Sequence, residues 1–181
     1  QGMWTAGNPV MVRNYDYSPA LWEGLVWKTG WLGREVLGNS DSLWGLLDGV
    51  NDAGLCVCLS FGGRRVVGDG FGIPLILRYV LQICDTTDEA VAVLRRVPCH
   101  MAYTVCVLDA AGRFATVFLG PDRPPVVNDT RAATNHQVAV EWPEHATATR
   151  SVLRLEVMEE ALAGGDTSVE QFVARFRAPP L

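Results

Sequence analysis

Arg13, Asn14 and Asp16 come directly after an apolar run in the stretch PVMVRNYDYSP. A strand that ends in Arg-Asn-x-Asp reads in two ways. One is a solvated strand end with a surface ion pair of little energetic weight; the other is one side of a reaction centre. Asn135, in Ala-Thr-Asn-His-Gln, is a second candidate. A side-chain amide following small residues suits donation to a developing oxyanion, worth roughly 3 kcal/mol of transition-state stabilisation. A turn Asn has the same sequence surroundings.

Other arrangements carry less chemistry. Gly68, Gly70 and Gly72 precede an expected helix, but they lack the spacing and the lysine of a phosphate-binding loop, and turn geometry is the better reading. Cys99 and His100 are adjacent, so in an extended segment their side chains point to opposite faces and do not pair. A thiol–imidazole site needs Cys99 or Cys106 to meet His136 or His145 in space, which spacing alone does not bring about. The three histidines form no HxH or HExxH pattern, which argues against a catalytic metal.

The elements that must position these residues follow from periodicity and punctuation. GNPVMVRNYDY and GLCVCLSFGG read as strands, the second a continuous apolar run suited to a sheet covered on both faces. Between them, residues 18 to 50 hold Trp22, Trp27, Trp31 and Trp44 among many glycines. The segment reads as a long loop that either wraps the core or lines a pocket. A helix is expected from about Pro74 through LILRYVLQIC, and a second after the capping box Thr86-x-x-Glu89, ending before Pro98. AYTVCVLD and RFATVFLG flank Ala-Ala-Gly as a hairpin, with Gly112 at the positive-φ position. A short strand near RAATNHQV precedes a helix over TATRSVLRLEVMEEALA, closed by Gly164-Gly165, and a shorter helix from Ser168. The order is strands, two helices, strands, two helices, an α+β pattern.

Composition sets the limits. At 181 residues and 49% hydrophobic, the chain is expected to build one core and a single domain over residues 1 to 181. A net charge of −5 without a basic stripe argues against nucleic acid. No apolar run reaches the ~18 residues of a membrane span. The five cysteines are odd in number and lie in apolar runs, so they read as buried free thiols, favouring a reducing, cytoplasmic setting.

Five segments together resemble a known family: PVMVRNYDYSP, LWGLLDGVNDAGLCVCLSFGGR, GFGIPLILRYVLQICDTTDEAVAVLRRVP, MAYTVCVLDAAGRFATVFLGPDRP and ATNHQVAVEWPEHATATRS. They are similar to the peptidase C45 group, the acyl-coenzyme A:6-aminopenicillanate acyltransferase-like branch of the choloylglycine hydrolase superfamily. The resemblance implies an N-terminal nucleophile hydrolase with a four-layer αββα sandwich; no cofactor is expected, and no metal on the histidine pattern above. It further implies a cysteine exposed by autoproteolysis just upstream of Gln1, a further strand beyond the Pro-Pro segment, and cleavage or transfer at a linear amide. By the same resemblance, Arg13 lies against the thiol and Asp16 holds the α-amino group or orients its neighbours. Asn135 supplies the oxyanion amide, and the backbone near Ser60 gives a second donor. A site arginine follows a Ser/Thr-x-x spacer, which Ser151-x-x-Arg154 fits and Thr147-x-x-Arg150 fits almost as well. The expected partner is a small N-acyl amide, with Trp22, Trp27, Trp31 and Trp44 as candidate walls of an apolar acyl pocket. A homo-oligomer is compatible with all of this.

Overall fold

The computed structural model describes residues 1–165 and 168–181. Two antiparallel sheets lie at its centre. The smaller pairs β1 (Gly2–Trp4) with β2 (Val10–Val12). The larger has seven strands in sequence order: β3 (Val26–Thr29), β4 (Val36–Asp41), β5 (Gly45–Asn51), β6 (Cys56–Phe61), β7 (Tyr103–Leu108), β8 (Phe114–Leu119) and β9 (Val126–Asn128). The expected short strand near residue 132 is reduced to a bridge from Ala132 to Gly2, which continues as reciprocal backbone bonds of 3.0 Å between Gln1 and Ala133.

Side-chain alternation divides the core into three layers. Val57 and Leu59 of β6, with Val105 and Val107 of β7 and Val117 of β8, pack against α1 (Ile73–Ile83) and α2 (Thr87–Arg96). Cys58, Cys106 and Leu108 point the other way and meet Met3 and Met11 of the small sheet. On that sheet's outer side, Trp4 and Val12 pack with Met158, Phe172 and Phe176, carried by α4 (Ser151–Glu160) and α5 (Val169–Arg175) with its C-cap. Three apolar layers between four layers of backbone make an α+β sandwich of the αββα type, in which helices face a seven-stranded sheet on one side and a two-stranded sheet on the other.

Helix boundaries follow the local signals. Thr86 accepts from the Glu89 N–H at 3.3 Å, and the Glu89 carboxylate reaches back to the Asp85 N–H at 2.7 Å. The expected helix over residues 147–163 is divided. α3 (Pro143–Ala148) ends before Arg150, whose φ of 51° breaks the run, and α4 restarts at Ser151. Gly112 takes the left-handed position of the β7–β8 turn, at φ 78°.

Residues 18 to 50 are not one loop, and β3, β4 and β5 arise within them. The glycines that argue for a loop serve close approach instead. A Cβ on Gly45 would lie 2.2 Å from the Pro74 Cβ, and one on Gly38 would lie 2.5 Å from the Asp48 carbonyl oxygen.

Candidate active site

Each member of the Arg-Asn-x-Asp run reaches a different element. Arg13 makes an ion pair of 2.6 Å with Asp48 of β5, and the other Asp48 oxygen accepts from Asn39 Nδ2 of β4 at 2.6 Å. The Asn14 amide donates to the Phe176 carbonyl at 3.0 Å, fastening β2 to the end of α5. Asp16 accepts from Arg154 of α4 at 3.0 Å, although its own side chain stays 63% exposed. The strand end therefore joins three elements at one place, whereas a solvated ion pair would join none.

Arg154 has a second partner. Its other terminal nitrogen donates to Asn135 Oδ1 at 2.6 Å. An amide whose oxygen is taken by a guanidinium has only its Nδ2 hydrogens left to give, so Asn135 is fixed as a donor. Ser151-x-x-Arg154 is thus the spacing that reaches Asn135, while Arg150 lies exposed on the rim. Behind Asn135, Thr134, His136 and Ser151 form a closed cluster. Ser151 Oγ lies 2.7 Å from His136 Nδ1 and donates to Thr134 Oγ1 at 2.9 Å. Burial holds His136 below its ordinary imidazole value, with Glu159 pulling the other way.

These residues line a cleft of about 950 Å³, which Gln1, Arg13, Asp16, Ser60, Asn135 and Arg154 share. Leu21, Leu47, Leu59, Phe61, Ile73 and Tyr103 give it apolar walls. Gln1 sits at its floor: its side-chain oxygen accepts from Cys58 Sγ at 3.0 Å, and its side-chain nitrogen lies 3.5 Å from Ser60 Oγ. Ser60 Oγ in turn donates to the Thr134 carbonyl at 2.8 Å. Burial pushes the Cys58 thiol well above its ordinary value, so it rests as the neutral, unreactive form. Its cross-strand neighbour Cys106 is fully buried and bonds Thr116 at 3.4 Å. Neither Cys99 nor Cys106 has a histidine partner among the described residues.

Other sequence candidates lie elsewhere. None of the four tryptophans is among the residues lining the cleft. Trp27, Trp31 and Trp44 border a small groove over the sheet–α1 edge, where the Arg78 guanidinium sits 3.2 Å from the Trp31 ring centroid and donates to the Trp44 carbonyl at 2.6 Å. Trp22 is exposed. Around residue 70, the Gly68 and Phe71 amides are spent on the His100 and Pro98 carbonyls, as in a turn.

Sequence reasoning missed Asp48 and Asn39, both inside the segment read as a loop. It also missed Glu23, whose carboxylate accepts from Ser40 Oγ at 2.6 Å and from the Leu43 N–H at 2.9 Å. Glu23 thereby holds Ser42 and Leu43, both at positive φ, in the turn beside the cleft. Among the described residues, no group of three or more His, Cys, Asp or Glu side chains could hold a metal ion, and no helix is long and apolar enough to cross a membrane.

A solved structure described as the Caenorhabditis elegans N-acylethanolamine-hydrolyzing acid amidase ortholog aligns at a TM-score of 0.68 and 14% identity, covering 99% of this chain and 85% of that one. Penicillin V acylase from Agrobacterium tumefaciens aligns at 0.44 with 21% identity, over 79% of this chain and 48% of its own. A variant of conjugated bile acid hydrolase from Clostridium perfringens aligns at 0.43 with 16% identity, over 65% and 42%. At 14% identity, the likeness to the first of these is one of fold. No curated protein sequence matches significantly. The family profile described as acyl-coenzyme A:6-aminopenicillanic acid acyl-transferase matches residues 4–179. With that profile spanning nearly the whole chain over an N-terminal nucleophile hydrolase fold, the chain belongs to the acyl-coenzyme A:6-aminopenicillanic acid acyl-transferase family.

Proposed function

We propose that the protein hydrolyses a linear carbon–nitrogen amide through a thioester acyl-enzyme, with the thiol supplied by a cysteine N-terminal to Gln1 that self-cleavage exposes. The observation that carries this reading is the Asn135 amide, its oxygen held by Arg154 and its Nδ2 left to donate in a cleft beside Gln1. A residue preceding Gln1 enters that cleft near Arg13 and Ser60. There its sulfur attacks the substrate carbonyl carbon, and the C=O electron pair moves onto oxygen, where Asn135 Nδ2 donates to it. The α-amino group of the same cysteine takes the thiol proton; an amine titrating near pH 8 is basic enough to do so without a histidine. Collapse re-forms the carbonyl and breaks the C–N bond, and the departing amine collects that proton. Water then adds to the thioester and releases the carboxylic acid and the thiol. Arg13, whose charge is already shared with Asp48, biases the sulfur toward thiolate. The apolar walls of the cleft favour a hydrophobic acyl group.

Transfer to an amine in place of water is a second reading, favoured by the family profile. Hydrolysis comes first because no side chain of the cleft marks a place for a second substrate. The thiol is tested on the full-length gene product by terminal sequencing and intact mass, with and without replacement of the upstream cysteine by alanine. The expected result is a self-cleaved chain that forms an acyl adduct with an N-acyl amide and loses both properties in the variant. A gene product with no cysteine in that position refutes the mechanism and leaves a binding domain of the same fold. Adding a free amine to the assay separates the two reactions through the appearance of a new amide product.

A further inference from the structure

His145 is the one imidazole in the lining of the cleft, and its surroundings satisfy neither ring nitrogen. It lies on α3, with its ring stacked on Trp142 at 4.9 Å and 28° and set edge-on to Phe61 at 5.2 Å. Trp142 is itself covered by the Arg65 guanidinium at 4.0 Å. The ring is therefore held in one orientation by aromatic contacts, with no hydrogen bond among the described residues. Its Nδ1 is sealed from solvent without a partner, and Nε2 is not sealed. A buried N–H lacking an acceptor costs more than a buried lone pair lacking a donor, so the neutral ring carries its proton on Nε2, toward the open side. Burial and the Arg154 charge both hold His145 below its ordinary imidazole value, which keeps it neutral near pH 7. Buried polar groups in a purely structural role are normally satisfied. An imidazole in the lining of a cleft, fixed by its ring faces alone and with Nε2 unsealed and unpartnered among the described residues, is arranged to bind something.

We propose that His145 is a substrate-recognition residue whose Nε2–H donates to an uncharged oxygen acceptor of the substrate, away from the scissile amide. The substrate class is then an N-acyl amide carrying a second, neutral oxygen function such as a ketone, ether or hydroxyl. This rests on the amidase reading above. A neutral acceptor fits better than an anionic one because Arg13 is engaged by Asp48 and Arg154 by Asp16 and Asn135, while Asp41 adds a further carboxylate to the lining. Arg150, the remaining arginine of the lining, is exposed, where solvent and salt screen its charge.

The test pairs a plain alkyl N-acyl amide with a series in which one methylene is replaced by oxygen or a carbonyl at successive positions. Each compound is measured for kcat/KM on the mature enzyme and, by calorimetry, for binding to the form whose upstream cysteine is replaced by alanine. One position should be preferred over the plain compound by about 10-fold, the worth of one good hydrogen bond. His145→Phe, which keeps a ring in the aromatic stack, should reduce that preference to about 2-fold or less and leave the plain compound within about 2-fold of its original value. A preference that survives the substitution, or is absent from the wild type at every position, overturns the inference. Imidazole nitrogen NMR of the wild-type protein gives a readout that does not depend on the variant folding: Nε2 of His145 should shift with the preferred compound and not with the plain one, and no shift refutes the proposal. Binding preference that depends on His145 without any cleavage overturns the amidase reading and upholds this one.

Discussion

An asparagine can present either end of its amide to a substrate, and in this cleft Arg154 decides which. With Oδ1 held at 2.6 Å by the guanidinium, Nδ2 is the end left free. Asn135→Ala should lower kcat by roughly 100-fold or more with little change in KM, because the donor acts on charge that develops in the transition state. Arg154→Lys should also lower kcat, since an ammonium cannot bridge Asp16 and Asn135 with the same planar fork. Steady-state kinetics on the mature enzyme check both, and near-normal kcat in both variants would remove Asn135 from the chemistry. At this scale much was legible in the sequence. Arg13, Asp16, Ser60, Asn135 and Arg154 all stand on the one cleft. The choice between Arg150 and Arg154 was not legible, because both follow a suitable spacer. What separates them is a backbone break at Arg150, a single left-handed residue that no composition rule marks.

The segment carrying Asn135 is fastened to α4 through Thr134, His136 and Ser151, beyond its short pairing with β1. Because burial depresses His136 relative to its ordinary value of 6.5, the unfolded chain takes up a proton before the folded one does. This contribution to stability is complete above about pH 6.5 and is lost as the pH falls through the depressed folded value. The melting temperature should therefore fall on acidification from about pH 7 to 5, and the fall should be shallower in His136→Gln, which keeps a polar partner for Ser151. Equal slopes in the two proteins would mean that this latch does not titrate. The helices on either side of the capping box and the β7–β8 hairpin were readable because their signals are local. β3, β4 and β5 were not, because their glycines answer to neighbours distant in sequence: Gly45 makes room for Pro74 on α1. Trp27, Trp31 and Trp44 are carried with these strands to the sheet–helix edge and not to the cleft.

Across the whole molecule, strand order and layer count have different origins. Alternation along β6 to β8 calls for cover on both faces, which helices α1 and α2 give on one side and the β1–β2 hairpin gives on the other. That second cover is only two strands wide, and its width is not written in any local pattern. The cleft opens where the two sheets and α4 converge, so its residues are drawn from three separate parts of the chain. Arg13 and Asp16 come from its beginning, Ser60 from its middle, and Asn135 and Arg154 from its last third.

The separation of those parts has a kinetic consequence. In the large sheet every strand is hydrogen-bonded to its neighbours in sequence, across short connections except where α1 and α2 lie between β6 and β7, and such pairings form at modest entropic cost. The cleft depends on contacts of another kind, with Asp16 meeting Arg154 across 138 residues and Gln1 meeting Ala133 across 132. Refolding should therefore run in two stages, with amides of β4 to β8 protected from hydrogen exchange before those of β1 and of the segment around Ala133. Pulse-labelled exchange during refolding measures the order, and simultaneous protection of both groups would count against it. A chain caught between the two stages holds a formed sheet with Asn135 and Arg154 still apart from Arg13 and Asp16, so the cleft is the last part of the molecule to be assembled.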